Sequence, residues 1–172
     1  WAVETASLLG SNVVVVHPGF GVGPGEIDIE VWLGRAGGFL KKLVEYAGER
    51  NIKIAFENIF DSRPDYLVRL LDFVNAPNAG ICFDVGHFNI FSKLPMQAWF
   101  TALGAKIFEF HLHDNDKSAD QHRAIGDGNL DYQPLIDWHN TLPEGNNPVL
   151  TLEQPDRSHV LKSITKIQDW GI

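Results

Sequence analysis

Five short runs of β-branched and aromatic residues each end in a histidine or a carboxylate, and that regularity limits the folds open to this chain. The runs are Val13-Val14-Val15-Val16-His17, Ile54-Ala55-Phe56-Glu57, Ile81-Cys82-Phe83-Asp84, Phe108-Glu109-Phe110-His111 and Leu150-Thr151-Leu152-Glu153. Near-continuous apolar bodies of this kind mark strands buried on both faces, the habit of a parallel sheet. A polar, ligand-type residue at the C-terminal end of each strand is the way a (β/α) barrel gathers chemistry at one rim. An open doubly wound sheet would instead build its site at one switch point. Five such endings therefore favour strands that converge on a common axis.

The segments between the runs read as helices. Residues 2–9 form one that stops at Gly10, and the Gly- and Pro-rich stretch 18–28 is a loop. Asp28 caps a long helix to about Arg50, with Leu33, Leu40, Leu43, Val44 and Ala47 on its inward stripe and a weak point at Gly37-Gly38. Further helices open at Ser62-Arg63-Pro64, cover about Pro95 to Leu103 and about 132–142, and close the chain from Ser158 to Trp170. The expected strands are 12–17, 52–57, 79–84, 106–112 and 148–152, with a long loop over 113–131. The pattern is helix-(strand-helix)×5, an α/β chain of parallel strands joined by right-handed crossovers. A closed barrel takes eight such units, so the expected fold is α/β, an incomplete (β/α) TIM-barrel type with about five C-terminal βα units. The sequence begins at Trp1 within an apparent helix and without an initiator Met, so three βα units are expected to be missing upstream. Residues 1–172 then form a single domain. Open sheet edges and uncovered interior surface lead us to expect a homo-oligomer.

Composition removes several classes of function. A chain that is 44% hydrophobic and 21% charged can build an ordinary globular core. No stretch approaches the ~18 uninterrupted apolar residues of a membrane span, so no membrane partner is expected. The lone Cys82 lies inside a buried strand and leaves no disulfide framework, which points to a reducing, cytoplasmic setting. Fourteen Lys and Arg against 22 Asp and Glu give a charge of −8, a poor footprint for nucleic acid. Residues 19–25 lack the Lys-Ser/Thr of a phosphate cradle, which argues against a nucleotide.

Six motifs occur in one order: His17-Pro18-Gly19, Glu57-Asn58, Asp84-Val85-Gly86-His87, His111-Leu112-His113-Asp114, Asp120-Gln121-His122-Arg123-Ala124-Ile125-Gly126-Asp127-Gly128, and Glu153-Gln154-Pro155. That order resembles the xylose-isomerase-like TIM barrels, a superfamily of sugar isomerases and epimerases that also holds the endonuclease IV type of abasic-site nuclease (AP endonuclease family 2). The DxH…GxG loop after an HLxD strand end is the most specific part. The resemblance implies that these strands are the fourth to eighth of a barrel.

Glu57, Asp84, His111 and Glu153 offer three carboxylates and an imidazole from four strand ends. Converging carboxylates cannot all remain charged without a counter-ion, and a divalent cation resolves the conflict. This mixed O/N set suits Mn²⁺, Zn²⁺, Co²⁺ or Mg²⁺. The resemblance implies that Glu57 and Glu153 are also catalytic, one removing the proton beside a sugar carbonyl and the other returning it, through a metal-stabilised enediolate.

His17, His87, Asp120 and His122 make a second group. In nuclease-type members such positions hold additional zinc; in isomerase-like members they line the substrate pocket, where Arg123 is a candidate to grip hydroxyls or a phosphate. Glu109 shares the inward face with His111 and is expected as an interior polar residue. His139 and His159 fall on helices and are expected in solvent, while Phe20, Phe60, Phe88 and Phe91 follow strand ends and could form an apolar wall.

The leading expectation is a divalent-metal-dependent isomerase or epimerase of a sugar or sugar phosphate, a carbohydrate-metabolism enzyme. The alternatives are a zinc-dependent phosphodiesterase of the endonuclease IV type and a barrel that binds a sugar without turnover.

Overall fold

The computed structural model describes residues 1–19 and 28–171. Among them, β1 (Val13–Val16), β2 (Lys53–Glu57), β3 (Ala79–Asp84), β4 (Ile107–Leu112) and β5 (Val149–Leu152) form one sheet. The strands lie in the order β1-β2-β3-β4-β5, and every pair is parallel. Each strand sits beside its neighbour in sequence, with helix between, so the sheet curls in one sense as a segment of a barrel. No switch point occurs among the described strands. This is the incomplete TIM-barrel architecture that the strand endings predict.

The helices are α1 (Ala2–Leu8), α2 (Ile29–Trp32), α3 (Gly38–Gly48), α4 (Asp65–Val74), α5 (Val85–Phe91), α6 (Met96–Leu103), α7 (Gln133–His139) and α8 (Arg157–Trp170). Asp28 caps α2 by accepting the Glu30 N–H at 2.8 Å, as expected of an Asx residue at that position. A π-helical turn, Leu33–Gly37, joins α2 to α3 at the predicted weak point. A Cβ on Gly37 would come 2.7 Å from the Phe73 ring, so the small residue lets this helix lie against α4.

Strand alternation divides the molecule into two faces. Ile54, Phe56, Ile81, Phe83, Phe110 and Leu112 are fully buried among the helices. Phe83 sits at the middle of this layer, with ring centroids of Trp99, Phe100 and Phe110 at 5.6, 5.5 and 5.8 Å. The alternate residues, among them Glu57, Cys82, Asp84, Glu109 and His111, occupy the opposite, barrel-interior face. The central strands match the expected burial on both faces. The outer two, β1 and β5, are half-buried, because each pairs with one strand only among the described residues.

One irregularity sets the site. Ile81 pairs with Ile107 but Cys82 pairs with Glu109, so Phe108 is an extra residue in β4. Were Phe108 paired in regular register, Phe110 would oppose Asp84 and His111 would turn toward the helices, since a one-residue slip reverses every side chain. Gly80 makes the bulge possible: a Cβ there would lie 2.4 Å from the Phe108 ring and 2.5 Å from the Lys106 carbonyl.

Two further details depart from the sequence reading. The segment after β3 contains α5, whose Val-Gly-His-Phe start carries little helix propensity. Its nucleating feature is the Asp84 carboxylate, which accepts the His87 N–H at 2.7 Å. His139 is buried, not solvated, and burial lowers its imidazole from the ordinary value. Phe20 and most of the 18–28 loop lie outside the described residues. No helix among the described residues is long and apolar enough to cross a membrane.

Candidate active site

Three of the four predicted strand-end donors, Glu57, Asp84 and His111, gather in one group, and the fourth, Glu153, reaches it through His111 while grouping with His113 and His122. His111 Nδ1 lies 3.2 Å from Glu153 Oε1, 3.6 Å from Glu57 Oε1 and 3.8 Å from Asp84 Oδ2. That nitrogen is buried and meets these carboxylates as ion pairs, with no partner in hydrogen-bond geometry. Glu57, Asp84 and His111 each present a ligand atom within 4.8 Å of the others. Glu57 is 2% exposed and Asp84 fully buried, so water does little to screen them.

Backbone-directed amides fix this geometry. Asn58 donates Nδ2–H to the Asp84 carbonyl and accepts the Asp84 N–H, both at 2.9 Å, and so locks the ends of β2 and β3 together. Gln154 donates to the Leu112 carbonyl at 2.7 Å and does the same for β4 and β5. Sequence reasoning gave Asn58 little weight and no role to Gln154. Their one legible signal is their position directly after a strand-end glutamate.

The charge pattern asks for a cation. Burial alone would raise the Glu57 carboxyl, but the His111 and His87 imidazoles beside it and the charge of His17 outweigh it and hold the group at about 2. Burial alone would lower the His111 imidazole, yet Cys82, Glu109, Glu153 and Glu57 hold its proton well above the ordinary range. His111 also holds the Glu153 carboxyl below its usual value. The imidazolium thus serves as the counter-ion of three carboxylates. A divalent ion can replace that proton, because an imidazole binds metal only when neutral at one nitrogen. The buried Nδ1 and the two carboxylates grouped with it, with Glu153 3.2 Å from that nitrogen, fit such an ion.

The second group lies beside the first. His17 Nε2 stands 2.9 Å from Glu57 Oε2, with the His17 side chain largely exposed. His87 Nε2 is 3.3 Å from Asp120 Oδ2 and its Nδ1 is 3.0 Å from the Asn58 carbonyl. His122 Nε2 meets the same Asp120 oxygen at 3.0 Å, and its Nδ1 donates to the Glu153 carbonyl at 2.6 Å. Burial would lower His87, but Asp120, Glu57 and the Asp84 charge push it up to about 10; contact with His87 holds Asp120 at about 2. His122 has φ +47°, a left-handed backbone uncommon outside glycine. His113, His122 and Glu153 also bring ligand atoms within 4.8 Å of one another.

Other predicted residues are placed elsewhere. Arg123 is paired to Asp116 at 2.7 Å and donates to the Asp127 carbonyl at 3.2 Å, bracing the 113–131 loop. Asp114 is spent on the same loop and accepts the Asn115, Gly126 and Leu130 N–H groups. Glu109 faces inward as expected, 3.7 Å from His111 Nε2, and accepts from Thr151 at 2.5 Å. His159 pairs with Asp156 at 2.6 Å on α8. Phe60 and Phe91 form an edge-to-face pair at 5.1 Å, whereas Phe88 packs on Phe83 and Trp99 in the helix layer.

Asp61, in the loop after β2, is 6% exposed, and its Oδ1 has no partner. Burial raises its carboxyl to about 6, despite the Ile59 N–H at 3.1 Å and the nearby His87 charge. The folded state therefore holds a proton that the unfolded chain releases near pH 4, and stability falls as pH rises through that window. Two pH units at about 1.4 kcal/mol each put the cost at about 3 kcal/mol above pH 6. Asp61→Asn is expected to stabilise the protein at pH 7.5, with the gain shrinking by about 2 kcal/mol at pH 4.5. Urea unfolding at both pH values checks this. An equal effect at the two would exclude buried charge as the cause.

The family model of the xylose isomerase-like TIM barrel matches residues 1–170. The uncharacterised protein MJ1311 of Methanocaldococcus jannaschii is 30% identical over 169 residues, covering 94% of this chain and 57% of MJ1311. The crystal structure of a D-tagatose 3-epimerase-like protein superposes with a TM-score of 0.84 at 28% identity, covering 98% of this chain and 65% of that one. The TTHB071 protein of Thermus thermophilus, solved after soaking with ZnCl₂, gives 0.75 at 25% identity, covering 98% and 64%. The chain thus spans less than two thirds of the length of each.

Proposed function

Because the chain belongs to the xylose isomerase-like TIM barrel family, we propose that it performs divalent-metal-dependent epimerisation or isomerisation of a sugar or sugar phosphate. The observation that carries this reading is that carboxylates from three other strand ends, Glu57, Asp84 and Glu153, lie 3.6, 3.8 and 3.2 Å from the buried His111 Nδ1. Likeness to a D-tagatose 3-epimerase-like protein supports the substrate class.

In this reading Glu57, Asp84, His111 and Glu153 hold the ion, with Mn²⁺, Co²⁺, Zn²⁺ and Mg²⁺ all suited to the donors. When bound, the ion polarises the substrate carbonyl and makes the neighbouring C–H acidic. Glu57 ends β2 and Glu153 follows β5, and their carboxylates lie 3.6 and 3.2 Å from His111 Nδ1. One takes the proton from carbon and the other returns it, on the opposite face for epimerisation or at the adjacent atom for aldose–ketose exchange. His87 and His122, tied to Asp120, border the same space and line the sugar site in this reading. Self-association would cover the open edges of β1 and β5.

Incubation of the metal-loaded protein with a panel of free and phosphorylated ketopentoses and ketohexoses in D₂O tests the reading. One deuterium should appear on the carbon beside the carbonyl of the accepted sugar. Tight sugar binding without exchange would leave a non-catalytic sugar-binding barrel. A second reading, zinc-dependent phosphodiester cleavage, draws on the His87–Asp120–His122 contacts beside the first group. It requires about three zinc ions per chain and hydrolysis of a bis-nitrophenyl phosphate, and the charge of −8 counts against a DNA substrate.

A further inference from the structure

The interior imidazole nearest Asp84 belongs to neither ligand group of the sequence reading. His113 is fully buried, and its Nε2 lies 3.0 and 3.1 Å from the two Asp84 carboxylate oxygens. An ionised carboxylate only accepts, so His113 Nε2–H is the donor. The ring is confined on both sides. It stacks on His122 with centroids 3.9 Å apart and planes 4° from parallel. On the α5 side it fills the place of a side chain at Gly86, where a Cβ would fall 2.1 Å from the ring Cε1. Its own carbonyl accepts the Tyr132 hydroxyl at 2.8 Å, which holds the backbone at the end of β4.

We propose that His113 is a positioning residue: it orients the Asp84 carboxylate toward the cation site and ties that orientation to His122 through the stacked rings. The proposal rests on the reading of Asp84 as a metal ligand. Asp84 Oδ1 already accepts the His87 N–H at 2.7 Å, and His113 spans both oxygens from the other side. A carboxylate held by two fixed donors cannot swing to chelate through both oxygens, so it offers the remaining lone pair of Oδ2, the oxygen nearest His111 Nδ1. Gly86 is part of the device, because any side chain there would push the imidazole off Asp84. Outer donors of this kind commonly change metal affinity by about 10–100-fold.

Zn²⁺ and Mn²⁺ affinities, measured by chelator competition for wild type, His113→Ala, His113→Gln and Gly86→Ala, test the proposal. His113→Ala should bind about 10–100-fold more weakly. His113→Gln, whose amide N–H can stand in for Nε2–H, should recover most of the loss. Gly86→Ala should lose affinity with the imidazole still present, and the visible spectrum of bound Co²⁺ should shift in both impaired variants. Far-UV circular dichroism establishes folding; if His113→Ala does not fold, His113→Gln, Gly86→Ala and the Co²⁺ spectrum carry the test. Unchanged affinity in His113→Ala and Gly86→Ala, or equal loss in Ala and Gln, would overturn the positioning role while leaving the metal site standing. A wild type that takes up no divalent metal would overturn both.

Discussion

Glu57→Gln is expected to lower turnover of the accepted sugar by about 10³-fold and to abolish solvent-proton exchange, with the fold retained. The amide keeps the size of the side chain, so β2 and the Asn58 bridge should stay in place. It removes the ability to bind a proton and one of the negative charges around the cation site. Proton transfer by a positioned carboxylate is worth about 10²–10⁴-fold. Weakened metal binding adds to that loss, because an amide oxygen is a poorer ligand for a hard divalent ion than a carboxylate. Glu153→Gln should behave alike, since the proposed two-sided transfer uses both glutamates. Steady-state rates at saturating metal and deuterium incorporation provide the measurement. Activity within tenfold of wild type would remove Glu57 from the reaction.

His111→Ala should act most strongly on stability. In the metal-free protein its imidazolium is the central cation among Glu57, Asp84, Glu153 and Glu109. Deleting one partner of a buried charge set commonly costs about 3–5 kcal/mol, because the remaining charges lose their counter-ion. Proton uptake by the glutamates should keep the loss near the lower figure. For a chain of this length, about 3 kcal/mol corresponds to a fall in Tm of roughly 10 °C. Saturating Zn²⁺ should return part of that fall, since the ion supplies the missing positive charge. Differential scanning fluorimetry with chelator and with Zn²⁺ would show both effects. An unchanged Tm in chelator would mean that the carboxylates are not held together by His111.

The strand endings were readable because the chemistry and the period coincide. In β2, β3 and β4 an apolar body alternates with interior-facing groups and closes on an acid or imidazole, so one pattern reports both the sheet and its rim. α5 was not readable, because its signal is a single cap: Asp84 serves at once as strand end, helix cap and site carboxylate. Arg123 looked free to meet substrate, since sequence spacing cannot show that Asp116 and the Asp127 carbonyl already engage it. His139 looked solvated for a similar reason, as a seven-residue helix has too few turns to declare its inner face.

The order of βα units, their parallel pairing and the set of polar residues at one rim follow from the sequence alone, because side-chain period and residue type are local properties. Which way those residues face does not. The extra residue Phe108, accommodated over Gly80, turns Glu109 and His111 inward to meet Asp84. Burial of His113 between Gly86 and His122 likewise joins segments far apart in the chain. Such contacts depend on volumes brought together only when the sheet curls, and no periodicity along the chain encodes them.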